Sequence, residues 1–280
     1  MPHTARNKRT SIPAQKRLQV TDDDGWTHVT SGSNVRRVSR STRSTAQPNR
    51  KPSSRRTDAE PVLGPAEAPS QLTFAELQTQ YAGYREKWMS SETWAGLQAH
   101  MKEQMRSRQR IAHDEPGAMG VVDGIVSIGL GSPSGFLRDG WVDRRNVSMY
   151  QLAALESIMN QLSRPDDDIP FSFPVYVQDP VFNALDTALL ESLGMIVVPN
   201  PVGFERVTRN TLLFCPGAER KHLELVLPSN PCLVLGGPLE SSDSDGIAEY
   251  VARTRSRTLV PFAAQEHAFW NMRLYCREEE

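Results

Sequence analysis

At 280 residues, with 32 Lys and Arg against 33 Asp and Glu and 38% apolar residues, the chain has room for one or two folded units. No apolar run approaches the roughly 20 residues of a membrane-spanning helix. Three cysteines, an odd number without C-x-x-C spacing, exclude a disulfide framework and a cysteine zinc site.

The charge is unevenly spread. Residues 1–60 hold 13 Lys and Arg against five Asp and Glu, and the remainder holds 19 against 28, so a basic segment precedes an acidic body. The first twenty residues are polar and carry no signal-peptide core. With Cys215 and Cys232 among apolar neighbours, a reducing compartment, cytosol or nucleus, is expected.

Residues 1–70 are rich in Arg, Ser, Thr and Pro. Such a composition cannot bury enough apolar surface to offset the entropy of ordering, and a disordered basic tail is expected. Within it, Asp22-Asp23-Asp24-Gly25-Trp26-Thr27-His28-Val29 combines a turn signal with a lone Trp. Two readings stand for Trp26: a stray aromatic in a solvated segment, or the anchor of a linear interaction motif. Arg36-Arg37 followed by Arg50-Lys51 has the look of a two-part nuclear-import signal. Ser39, two places after Arg37, is a candidate phosphosite whose modification would weaken contacts of the arginines with anionic partners. The basic pairs are not interleaved with stacking aromatics, and the body is acidic, so no specific nucleic-acid binding is predicted.

Residues 71–115 read as a helical lead-in that packs on the body. Leu72, Phe74, Leu77, Tyr81, Tyr84 and Trp88 recur at helical spacing, with Ser70 or Thr73 as cap. A second helix follows on Trp94, Leu97, Met101 and Met105, with Ser90 or Ser91 as cap. Its Pro116-Gly117 exit reads as a connecting loop.

Residues 116–280 alternate between strand and helix patterns. Strands are expected over 121–128, 173–177, 195–198, 211–214 and 232–235, with a last candidate at 258–262. Helices are expected over 147–162, from Asp179-Pro180 to Gly194, over 219–227 and over 247–252. This alternation predicts a Rossmann-like three-layer α/β sandwich with a mostly parallel sheet. Ligands of such sheets bind outside the carboxyl ends of the strands. Those ends carry Gly129, Gly131 and Ser132, then Gln178 and Asp179, then Asn200 and Gly203, then Cys215 and Pro216, then Gly236.

Gly129, Gly131, Ser132, Gln151 and Asp179 are the candidate ligand-binding residues, with Asn200, Gly203, Cys215, Pro216 and Gly236 as a secondary rim. A small anion held on main-chain amides is the expected ligand. Gly129-x-Gly131-x-x-x-Gly135 puts its third glycine one place later than the dinucleotide fingerprint, and no acidic residue follows at the fingerprint's interval; Asp179 comes much later. The bland alternatives stand beside this reading: glycines that relieve crowding in a tight turn, Asp179 as a helix cap, Gln151 as a cap of its own turn. No metal site, cofactor motif or complete catalytic set emerges. Cys215 and His222 are too loosely related to argue as a thiol–imidazole pair.

Five pieces in order carry a family resemblance: Ile128-Gly129-Leu130-Gly131-Ser132, Tyr150-Gln151-Leu152-Ala153, Gln178-Asp179-Pro180-Val181-Phe182, Leu193-Gly194, and Thr211-Leu212-Leu213-Phe214 leading into Pro216. Together they resemble the sensitivity-to-red-light-reduced family over roughly residues 121–235. The Asp24-Gly25-Trp26-Thr27 island is similar to a segment near the start of many members. The sequence departs from the family pattern at Gly217-Ala218, where His-Cys is usual, and at Gly237, where Asn is usual. The resemblance implies a regulatory role in circadian or light input, and for some members a link to haem biosynthesis or the cytoskeleton. It carries over no reaction. A regulatory or ligand-binding protein with protein partners is therefore expected. A divergent nucleotide- or S-adenosylmethionine-dependent transferase, and an interaction scaffold presenting Trp26 and the tail, are the alternatives.

Overall fold

The computed structural model describes residues 64–114, 122–136, 144–163 and 173–278, with the backbone of 18–21 and 27–30. The chain divides into two units, residues 1–59 and 60–280. In the first, β1 (Leu18–Thr21) and β2 (Thr27–Thr30) pair antiparallel, Leu18 opposite Thr30 and Thr21 opposite Thr27. Trp26 and Ser39 lie outside the described residues.

The second unit begins with α1 (Phe74–Met89) and α2 (Glu92–Asp114). Of the two expected caps, Thr73 starts α1: its hydroxyl accepts from Glu76 N while the Glu76 carboxylate accepts from Thr73 N, a reciprocal capping box. Ser91 starts α2, its Oγ accepting from Trp94 N at 3.1 Å. The body follows as β3 (Gly124–Ile128), α3 (Arg145–Leu162), β4 (Val175–Gln178), α4 (Ala184–Ser192), β5 (Ile196–Val197), α5 (Val202–Glu205), β6 (Thr211–Cys215), α6 (Arg220–Val226), β7 (Leu233–Gly236), α7 (Asp245–Ala252), β8 (Thr254–Thr258) and β9 (Arg273–Arg277).

Seven strands form one sheet in the order β5-β4-β3-β6-β7-β9-β8. The first five are mutually parallel; β9 runs antiparallel to both β7 and β8. Counted from β3, the order is 3-2-1-4-5-7-6. Its first five places are those of a doubly wound nucleotide-binding sheet, with the chain reversing direction across the sheet between β3 and β6.

Strand residues alternate between two cores, as the period of two requires. Ile125, Val175, Val177, Leu212, Phe214, Leu233, Leu235 and Leu274 face one side, with α1, α2, α3 and α4. Val126, Ile128, Tyr176, Leu213, Cys215, Val234 and Tyr275 face the other, with α5, α6 and α7. The three-layer sandwich and mostly parallel sheet expected from sequence are therefore what the chain forms. The buried stripe Leu77, Tyr81 and Trp88 of α1 belongs to the first core, where Trp88 meets Phe269 and Phe262 edge-to-face or tilted at 4.7 and 5.5 Å.

The C-terminal part differs from the expectation. Residues 258–262 are not a strand apart from Thr258, which closes β8. β8 reads Thr-Arg-Ser-Arg-Thr and lies at the sheet edge, where its side chains are mostly exposed, so it lacks the apolar signal of a strand. β9, Arg273–Arg277, carries polar residues at both ends of a short apolar centre.

Candidate functional site

Because β3, β4, β5, β6 and β7 run parallel, their carboxyl-terminal loops share one end of the sheet. The loop after β3 turns through Gly129 and Gly131, with φ of 75° and 73°, a conformation that glycine adopts without steric penalty. A Cβ on Gly129 would stand 2.6 Å from the Gly217 carbonyl carbon, and one on Gly131 2.6 Å from Ser148 Oγ. The loops after β3 and β6 are thus in backbone contact at the point where the sheet order reverses. Glycine is needed there so that two turns of the same protein can touch.

Asp179 is the residue that joins two of the predicted site segments. It follows β4 directly, and its Oδ2 accepts the Gly131 N–H at 2.8 Å across 48 residues of sequence. Its Oδ1 accepts from Val181 N at 3.1 Å. Burial pushes the carboxyl above its ordinary range, while the amides of Gly131 and Val181 and the imidazole of His222 pull against that rise. Asp179 does not cap a helix. The helix begins after Asn183, whose Oδ1 accepts from Leu185 N and Asp186 N. Pro180 lies within a turn, closed by Phe182 N donating to Asp179 O, and not at the first helical position.

The amide expected to grip an anion is therefore taken by an internal carboxylate. Gln151 is not part of the loop either: its Nε2 donates to the Ala268 carbonyl at 2.8 Å, tying α3 to the turn before β9. Ser132 is buried, its Oγ donating to Asp186 Oδ2 at 2.6 Å and accepting from Gly135 N at 2.8 Å. Gln178 Oε1 accepts from Gly203 N at 2.6 Å, and its Nε2 donates to Asn200 Oδ1, which joins the β4 and β5 loops. Cys215 lies in the core, with its Sγ 2.5 Å from where a Cβ of Gly236 would be. Burial pushes its thiol up to about 12, so it is a protonated core residue at neutral pH. Pro216 is half-buried beside it. His222 stacks on Phe204 at 5.3 Å.

Sequence reasoning missed Asp186, which is fully buried and organises this end of the sheet. Its oxygens accept from Ser132 Oγ, Ser134 N and Asn183 N. The signal was present as Asn183-x-x-Asp186, a capping-box spacing, obscured by the stronger-looking Asp-Pro start. Also missed was a strap over residues 64–69. Ala66 N donates to Val181 O, Asn183 Nδ2 donates to Ala66 O, and Glu67 exchanges both backbone bonds with Phe136. It fastens the loops after β3 and β4 to the chain just before α1.

What the arrangement offers is a partly buried carboxylate at the second strand's end, held by the glycine loop of the first. Among the described residues no group of three His, Cys, Asp or Glu side chains converges as a metal site, and no helix is long and apolar enough to cross a membrane. Compared with known families, residues 98–276 match the SRR1 domain. No curated protein matches the chain, and no solved structure does.

Proposed function

The chain belongs to the SRR1 domain family, and from that premise we propose that it is a regulatory protein whose α/β body binds a small molecule at the carboxyl ends of β3 and β4. The observation that carries this reading is the Asp179–Gly131 bond. It sets an acidic side chain against a glycine turn beside the reversal point of a parallel sheet, where doubly wound proteins hold their ligands. Light or clock input, or control of haem biosynthesis, is the setting that the family resemblance favours, with the cytosol or nucleus as its location. The test is a thermal-shift survey of the full chain against nucleosides, nucleotides, S-adenosylmethionine and haem precursors. A ligand at about 100 times its dissociation constant adds roughly 2.7 kcal/mol of stability. The reading expects at least one such shift, lost in Gly131→Val; a shift retained in a folded Gly131→Val protein would move the site elsewhere.

One observation favours a second reading, a divergent S-adenosylmethionine-dependent transferase. The sheet order 3-2-1-4-5-7-6 begins as a doubly wound sheet, whose crevice at the reversal point suits a nucleoside-bearing cofactor. The sheet supports the class of ligand alone, because the chemistry depends on particular side chains. Transfer of a labelled methyl group to a cell-extract fraction would separate this reading from a purely regulatory one.

A further inference from the structure

We infer that Asp179 is the ribose-binding residue of a nucleoside site, one that takes the nucleoside without a phosphate at the glycine turn. The inference rests on the reading of the β3–β4 rim as a binding site and names its ligand class.

In doubly wound sheets the acidic residue that ends the second strand receives the ribose hydroxyls, and the glycine turn after the first strand lies against the same nucleoside. Sequence spacing conceals this match, because 48 residues separate Gly131 from Asp179 where the fingerprint expects about 20. The structure removes the discrepancy. The extra residues fall between β3 and α3 and between α3 and β4 in the chain, and Asp179 still follows β4 directly. Its carboxylate accepts one amide on each oxygen. An ionised carboxyl offers about four acceptor positions, so two remain for a vicinal diol. The side chain is partly buried; burial raises its pKa, and the Gly131 and Val181 amides and His222 oppose that rise and favour the charged, accepting form.

The same geometry argues against a phosphate. A pyrophosphate in a dinucleotide site rests on the glycine-turn amides and on the amino end of the helix that follows at once. Here the Gly131 amide is committed to Asp179 Oδ2, and no helix follows the turn at once among the described residues 132–136. A phosphate at Gly131 would meet the Asp179 carboxylate, a like charge at hydrogen-bond range. Uncharged or cationic nucleosides avoid that repulsion.

The test is calorimetric titration of the full chain with adenosine, S-adenosylhomocysteine, 2′,3′-dideoxyadenosine and ADP. Adenosine or S-adenosylhomocysteine is expected to bind, 2′,3′-dideoxyadenosine at least ten-fold more weakly than adenosine, and ADP no better than adenosine. Asp179→Ala, checked for native melting, should weaken adenosine by about ten-fold or more. The dideoxy comparison alters only the ligand, so it decides the matter even where the variant fails to fold. Equal binding of adenosine and its dideoxy form, or ADP binding more tightly than adenosine, overturns the ribose assignment while the rim stays a binding site. No binding by any of the four overturns the assignment, and the wider reading falls only if the full survey of ligands is also silent.

Discussion

Two glycines of similar φ have different reasons to be glycine. Gly129, at 75°, has the Gly217 backbone where its Cβ would go, whereas Gly194, at 82°, closes α4 with nothing within 4 Å of that position. Left-handed backbone alone costs a non-glycine residue about 1–2 kcal/mol. Gly194→Ala should therefore lose about 1 kcal/mol and Gly129→Ala clearly more, about 3 kcal/mol, because two backbones must separate. Urea unfolding of the two variants measures the difference; equal losses would mean that the loops do not touch. Asp179 gives a pH prediction. The folded protein holds its carboxyl above the unfolded value, chiefly by burial. Its contribution to stability is then full below the unfolded pKa of about 3.9 and is lost as pH rises through the folded value. Relative to Asp179→Asn, which cannot titrate, the native chain should lose stability on raising the pH through that window. A difference that grows in the native chain's favour would contradict the assignment of burial as the dominant cause. The thiols of Cys215 and Cys276, each pushed by burial up to about 12, should resist alkylation at pH 8 until the protein is unfolded.

At the scale of elements, α1 lies ahead of the matched family region, residues 98–276, yet shares its core. Trp88 is fully buried against Phe262 and Phe269, so Trp88→Ala should cost about 3–5 kcal/mol. Loss of the Thr73 cap, in Thr73→Ala, should cost only about 1 kcal/mol. A chain shortened to begin at Gln98 exposes the α3 surface that α1 covers and should fail to melt cooperatively. A sharp transition in that shortened chain would show that α1 is dispensable. The helices other than the one-turn α5, and the five parallel strands, were legible because their signals are local: period, cap and glycine stop. β8 was not, since an exposed edge strand has no buried face to write an apolar pattern. The start of α4 was misread because Asp-Pro and Asn-x-x-Asp compete as helix signals, and only burial of Asp186 decides between them.

For the whole molecule, strand alternation in the sequence predicted that the candidate loops would meet at one end of the sheet, and the parallel pairing of β3 to β7 fulfils it. The sequence did not show what the loops do to one another. Gly131 is held by Asp179, Gly203 by Gln178 and Ser132 by Asp186, and partners 25 to 54 residues apart leave no periodic trace. Much of the rim predicted as amide grips for an anion is in this way its own internal mortar, with the partly buried Asp179 carboxylate set within it. Hydrogen–deuterium exchange of the full chain, with and without whichever of adenosine and S-adenosylhomocysteine binds more tightly, tests the rim as a binding site most directly. Slowed exchange at residues 129–135 and 178–183 is expected; protection confined to other segments, or unchanged exchange at that rim, would place the ligand elsewhere and overturn the Asp179 site.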